Sequence, residues 1–213
     1  MGARRTLPRS FYRRAPEQVA RDLLGRHLVR DTEEGRQVVR IVVVEAYLGA
    51  IDAAAHTHGG RRTERVRSMY LGGGHAYVFS IYGMHFCFNV VCGAAGSGTA
   101  VLVRAGEAVA GVEAMRARRG LRRAPRPGEL AGGPGKLCQA LAIDRSLDGA
   151  SLLRGALRIA EGDPVVDGEV AVGARVGVDY AGEAAAWPLR FAVIGSPDVS
   201  RPRPLSASSL RGG

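Results

Sequence analysis

The chain has 213 residues, 46% of them hydrophobic and 23% charged, with a formal net charge of +10. That composition suits one sizeable globular core, and no apolar run reaches the roughly 18 residues an α-helical membrane span needs. The excess of positive charge points to a polyanionic partner, nucleic acid foremost.

The N-terminal "MGARRTLPRSFYRR" is basic and lacks the apolar stretch of a secretory signal. Residues 1–10 are expected to form a flexible basic tail, 11–198 a single domain and 199–213 a second flexible tail. Pro16 suits the first turn of a helix; Val19, Ala20, Leu23 and Leu24 share an apolar face, and Gly25 ends the segment. "RQVVRIVVVEAYLG" predicts a strand buried on both faces, with a carboxylate, Glu45, at its end and Tyr47 two residues on, facing the same way. Gly59-Gly60 and Gly72-Gly73-Gly74 mark loops around a short polar segment.

"HAYVFSIYGMHFCFNVV" predicts two strands joined at Gly83, with Tyr77 and Phe79 on one face of the first and His85, Cys87 and Asn89 on one face of the second. A further strand is expected over 100–104 and a helix over 107–118, ending at Gly120. "RARRGLRRAPRPGELAGG" has the composition of a solvated basic loop, and Pro134 to Ala142 reads as a second helix. Short strands are expected near 157–160, 170–178 and 189–194, before a C-terminal "RPRPLSASSLRGG" of disordered character. Strands dominate and no βαβ alternation occurs. The fold class is therefore α+β, a single domain with a mainly antiparallel curved β-sheet flanked by a few helices.

Several site readings can be weighed from the residues. Three cysteines, Cys87, Cys92 and Cys138, show no pairing pattern, which favours reduced thiols in a cytoplasmic compartment. "GGPGKL" lacks the first glycine and the terminal Ser or Thr of a phosphate loop. His56 and His58 lack the Glu and Cys partners of a zinc deaminase, so no metal site is expected. Glu45 is either a functional carboxylate or a strand end paired with one of many arginines; Tyr47 is either its partner or a packed aromatic. Tyr82 and Met84 flank the turn glycine. On a basic protein such apolar side chains can wedge between base pairs, and packing in a hairpin core is the competing account.

Taken together, "VEAYLG", "AAAH", "THGGRRT", "YVFSIYGMHFCFN", "VLVRAGE", "GPGKLCQALAI" and "ARVGVDYAGE" resemble, in order, the alkyladenine (3-methyladenine) DNA glycosylase family, the monofunctional type of bacteria and mammals. The resemblance implies that Glu45 is a general base activating a water for attack on C1′ of a nucleotide flipped out of double-stranded DNA. Arg104 would help orient that water, and the backbone carbonyl of Val176 would be its third contact. Tyr47 would stack on one face of the damaged base, with His56 and Phe79 on the other; Phe79 stands where mammalian relatives have tyrosine. Asn89 would lie at the purine edge and disfavour guanine's exocyclic amine. Tyr82, with Met84 beside it, would intercalate into the duplex, and Arg61, Thr63 and Lys136 would touch phosphates.

The activity implied is hydrolytic release of alkylated (3-methyladenine, 7-methylguanine), etheno or deaminated purines, leaving an abasic site. Lys136, the only lysine, is taken up by a phosphate contact, so no strand scission is expected. The family reading implies no metal or organic cofactor and no membrane partner, and a monomer in the cytoplasm, associated with the nucleoid through DNA. A non-catalytic binder of damaged or bent DNA is the alternative; it has no need of a carboxylate where an anion binds. An RNA-binding module is disfavoured because no RNP-like pattern is present.

Overall fold

A computed structural model describes residues 4–81 and 83–199; the rest, including the expected wedge residue Tyr82 and all but the first position of the expected C-terminal tail, lie outside the described residues. In chain order the regular elements are α1 (Arg9–Tyr12), α2 (Pro16–Leu23), β1 (His27–Thr32), β2 (Gly35–Tyr47), β3 (Ala76–Ile81), β4 (His85–Cys92), β5 (Thr99–Ala110), α3 (Val112–Arg118), α4 (Pro134–Ala140), β6 (Leu157–Ala160), β7 (Val170–Gly173) and β8 (Arg190–Val193). Short 3-10 turns join them, among them Gly49–Ile51, Glu64–Tyr70 and Asp179–Ala186.

The strands form one antiparallel sheet in the order β3-β4-β5-β2-β1-β6, with β8 on the far end of β2 and β7 on β8. β2 and β5 are the long central pair. Register shifts between Val38 and Val39 and around Val43 bend both strands, because each extra residue adds local twist, and the sheet curls. The β-branched run Ile41 to Val44 is fully buried. α2 packs its Val19, Ala20 and Leu23 on β2 and β5, and α4 packs Leu137 and Cys138 on β4 and β5. This is the α+β architecture expected from the sequence.

Several boundaries differ from the sequence reading. The strand expected over 100–104 runs on to Ala110, and helix α3 begins only at Val112 rather than at 107. Ala108 and Ala110 pair with Val39 and Val38, so cross-strand partners override the helical propensity of "GEAVA". The strand expected over 170–178 stops at Gly173. Residues 4–10 are not a free tail: the Leu7 amide donates to the Ile159 carbonyl (2.9 Å), Thr6 bridges to Ala160, Leu7 is buried and α1 begins at Arg9. The apolar Leu7 and the unpaired edge of β6 satisfy each other there. β1, for which the sequence offers no clear alternation, completes a hairpin with β2. Within the basic loop Leu130 and Ala131 are buried, and the Ala131 carbonyl accepts from the Gly106 amide (3.1 Å).

Candidate active site

The end of β2 faces β5 and β8, placing Glu45 opposite Leu102 and Arg190. Glu45 has no solvent exposure. A buried carboxylate is tolerated only with partners, and three converge on it. The Tyr47 hydroxyl donates to Oε2 (3.0 Å), the Val176 amide donates to Oε1 (3.0 Å), and Nη1 of Arg104 stands 3.3 Å from Oε1. Burial, then the charge of Glu45, pushes the Tyr47 phenol well above its ordinary pKa, so Tyr47 keeps its proton and stays a donor. Arg190 is buried beside this cluster; burial, then the nearby Arg104, lowers its pKa.

Tyr47, Arg104 and Val176 also line a recess of about 310 Å³, at the lower end of the small-ligand range. Glu45 is not itself part of that lining; it lies directly behind the three residues that bond it. A cluster of aromatic rings also lines the recess. His56 and Phe79 meet edge to face with ring centroids 4.6 Å apart, and Tyr77 stacks on Phe79 at 5.3 Å. The Tyr77 hydroxyl and Nδ1 of His56 are 2.8 Å apart. Burial, with Arg65 and Arg61 nearby, lowers the His56 pKa to about 4, leaving a neutral imidazole at pH 7. Asn89, a buried lining residue, donates from Nδ2 to the Tyr77 carbonyl (3.2 Å).

The structure thus brings together Glu45, Arg104, Val176, Tyr47, His56, Phe79 and Asn89. At Val176 the observed contact is the amide with Glu45; the carbonyl, which the sequence resemblance gave to the attacking water, is a different group. Met84 stands apart on the β3–β4 turn, 77% exposed, beside a glycine whose positive φ (67°) closes the turn. Arg61, Thr63 and Lys136 are exposed and outside the recess lining. Lys136 lies in an adjoining groove with His85 and Arg119, its Nζ bonded to the Gly128 carbonyl (3.0 Å); Pro134 lines both hollows.

Several lining residues had no assigned role in the sequence reading. Tyr77 and Cys87 were detectable as the period-2 neighbours of Phe79 and Asn89. Leu102 is likewise the period-2 neighbour of Arg104, and Tyr180 follows Val176 in the same motif; Met69 comes from a separate segment and had no local signal. Cys87, Cys92 and Cys138 are all free and buried, and burial raises each thiol, Cys87 to about 11. Among the described residues no group of three or more His, Cys, Asp or Glu side chains could hold a metal ion.

The family model for methylpurine-DNA glycosylase matches residues 10–197. A protein of Methanocella arvoryzae provisionally named 3-methyladenine DNA glycosylase is 48% identical over 198 residues, which span 93% of this chain and 97% of that relative. The human protein named DNA-3-methyladenine glycosylase is 46% identical over 199 residues, 89% of this chain and 66% of its own length.

Proposed function

This chain belongs to the methylpurine-DNA glycosylase family, and on that footing we propose that it releases alkylated purines such as 3-methyladenine and 7-methylguanine, with etheno and deaminated purines as further substrates, from double-stranded DNA by hydrolysis, leaving an abasic site. One observation carries the reading: a fully buried carboxylate, Glu45, held by three partners that form the wall of an aromatic recess.

Extruding a nucleotide costs a few kcal/mol, less where the base is damaged, and stacking on aromatic faces offsets about 1–3 kcal/mol of it. Tyr47 offers one such face and His56 with Phe79 the other. The neutral His56 adds no positive charge against a cationic methylated base. A carboxylate has about four acceptor positions; the Tyr47 hydroxyl and the Val176 amide each take one, the Arg104 guanidinium stands 3.3 Å from Oε1, and the proposed water bonds to a further position. That water attacks C1′ and gives its proton to Glu45. The C1′–N bond breaks with its electron pair on the departing base, which leaves neutral if it was cationic. Met84 and Tyr82 would fill the gap in the duplex, and Arg61, Thr63 and Lys136 would hold phosphates around it. The only lysine is outside the recess lining, which supports cleavage without a Schiff base and without strand scission.

The test is single-turnover release of hypoxanthine or 1,N6-ethenoadenine from a duplex, followed by assay for strand breaks. Wild type is expected to release the base without nicking. Glu45→Gln is expected to lose at least about 100-fold in rate while still binding a duplex with an abasic-site analogue. Equal release by both proteins would remove Glu45 from the role of base.

A further inference from the structure

Behind Tyr47 lies a second buried ion pair. The side chains of Arg175 and Asp52 have no solvent exposure, although they are far apart in sequence. Arg175 donates from Nη1 to Asp52 Oδ2 and to the Ala46 carbonyl (3.0 Å), and from Nη2 to Asp52 Oδ1 (2.8 Å) and the Ala184 carbonyl (3.1 Å). Asp52 also accepts the Leu48 and Ala54 amides, each at 3.0 Å. The guanidinium carbon of Arg175 stands 4.7 Å from the centroid of the Tyr47 ring.

A buried ion pair is a poor source of stability, because desolvating both charges offsets most of their attraction and two packed apolar side chains often do as well. What apolar side chains cannot supply is direction. The Arg175 guanidinium ties the end of β2 (Ala46) to the turn beyond it (Asp52) and to the Asp179–Ala186 segment (Ala184). Both uncharged donors to Glu45 are anchored in this network. Tyr47 lies between Ala46 and Leu48, two of its backbone contacts, with its ring beside the guanidinium. Val176 is the residue that follows Arg175.

We infer that Arg175, clamped by Asp52, is a positioning residue for the Glu45 carboxylate, fixing the Tyr47 hydroxyl on one oxygen and the Val176 amide on the other. The inference rests on the reading of Glu45 as the base. Arg175 acts through these neighbours and is itself behind them. A displacement of about 1 Å in such a constellation costs on the order of 100-fold in rate. Lysine at 175 keeps the charge beside Asp52 but has no planar fork to reach Ala46, Asp52 and Ala184 together.

The experiment compares Arg175→Lys and the paired Asp52→Leu/Arg175→Met with wild type, the second leaving no buried charge alone. Readouts are thermal unfolding, affinity for an abasic-analogue duplex, and single-turnover release of hypoxanthine. The expected result is a folded protein with wild-type affinity for the analogue and release about 10- to 100-fold slower. In a Tyr47→Phe background, where one of the two contacts is already gone, Arg175→Lys is expected to cost less than in wild type, a non-additivity that a purely structural role does not produce. A folded variant releasing base at the wild-type rate, alongside an inactive Glu45→Gln control, overturns the positioning role alone. An active Glu45→Gln control removes the base reading and this inference with it. If both 175 variants are unfolded in the cold, the pair is a folding requirement and the separate role falls.

Discussion

His56 shows how burial tunes one residue for its position. Its imidazole faces the recess against Phe79, bonded to the Tyr77 hydroxyl, with Arg61 and Arg65 nearby. Burial first, then those two cations, lowers its pKa from 6.5 to about 4. The unfolded chain therefore takes up a proton as pH falls through 6.5, and the folded protein takes it up only near 4. Stability that is fully present above pH 6.5 is lost progressively between those values. We expect the stability difference between wild type and His56→Gln, measured by urea unfolding, to shrink by about 1–2 kcal/mol between pH 7 and pH 5. A pH-independent difference would place a freely titrating His56 outside the recess. The shared face of Glu45 and Tyr47 was legible in advance because of their i, i+2 spacing on a strand, and the Tyr47 hydroxyl does bond Glu45. Asp52 and Arg175 were not, since nothing local in either sequence neighbourhood marks a partner so distant.

Among the elements, the β3–β4 hairpin and β2 were readable because their apolar runs have only one sensible period. The extension of β5 was not: "GEAVAG" suits a helix until Val38 and Val39 supply strand partners. The turn after β2 depends on a single glycine. Gly49 has φ +76°, and a Cβ there would stand 2.7 Å from the Ser97 carbonyl oxygen. Gly49→Ala must meet both the left-handed backbone and that contact, so a loss of about 1–3 kcal/mol is expected in denaturant unfolding. A loss below about 0.5 kcal/mol would mean the turn relaxes freely. Because Leu48 and Ala54 amides on either side hold Asp52, this turn links β2 to the Arg175 network.

For the molecule as a whole, the net charge of +10 sets how it meets DNA. Affinity for duplex should fall linearly in log–log plots against salt, with a slope near −0.9 per phosphate contacted. Arg61→Ala and Lys136→Ala are each expected to flatten that slope by about one, uniformly across lesions, in titrations over a salt series. An unchanged slope would remove that residue from the phosphate contacts. The whole molecule also bears on its three cysteines. Methylating electrophiles attack thiolates, and burial raises the pKa of Cys87, Cys92 and Cys138, so all three stay protonated, Cys87 even at the lining of the recess. Sulfurs held as thiols are weak nucleophiles, so the packing around them slows the reaction of this protein's own cysteines with methylating agents.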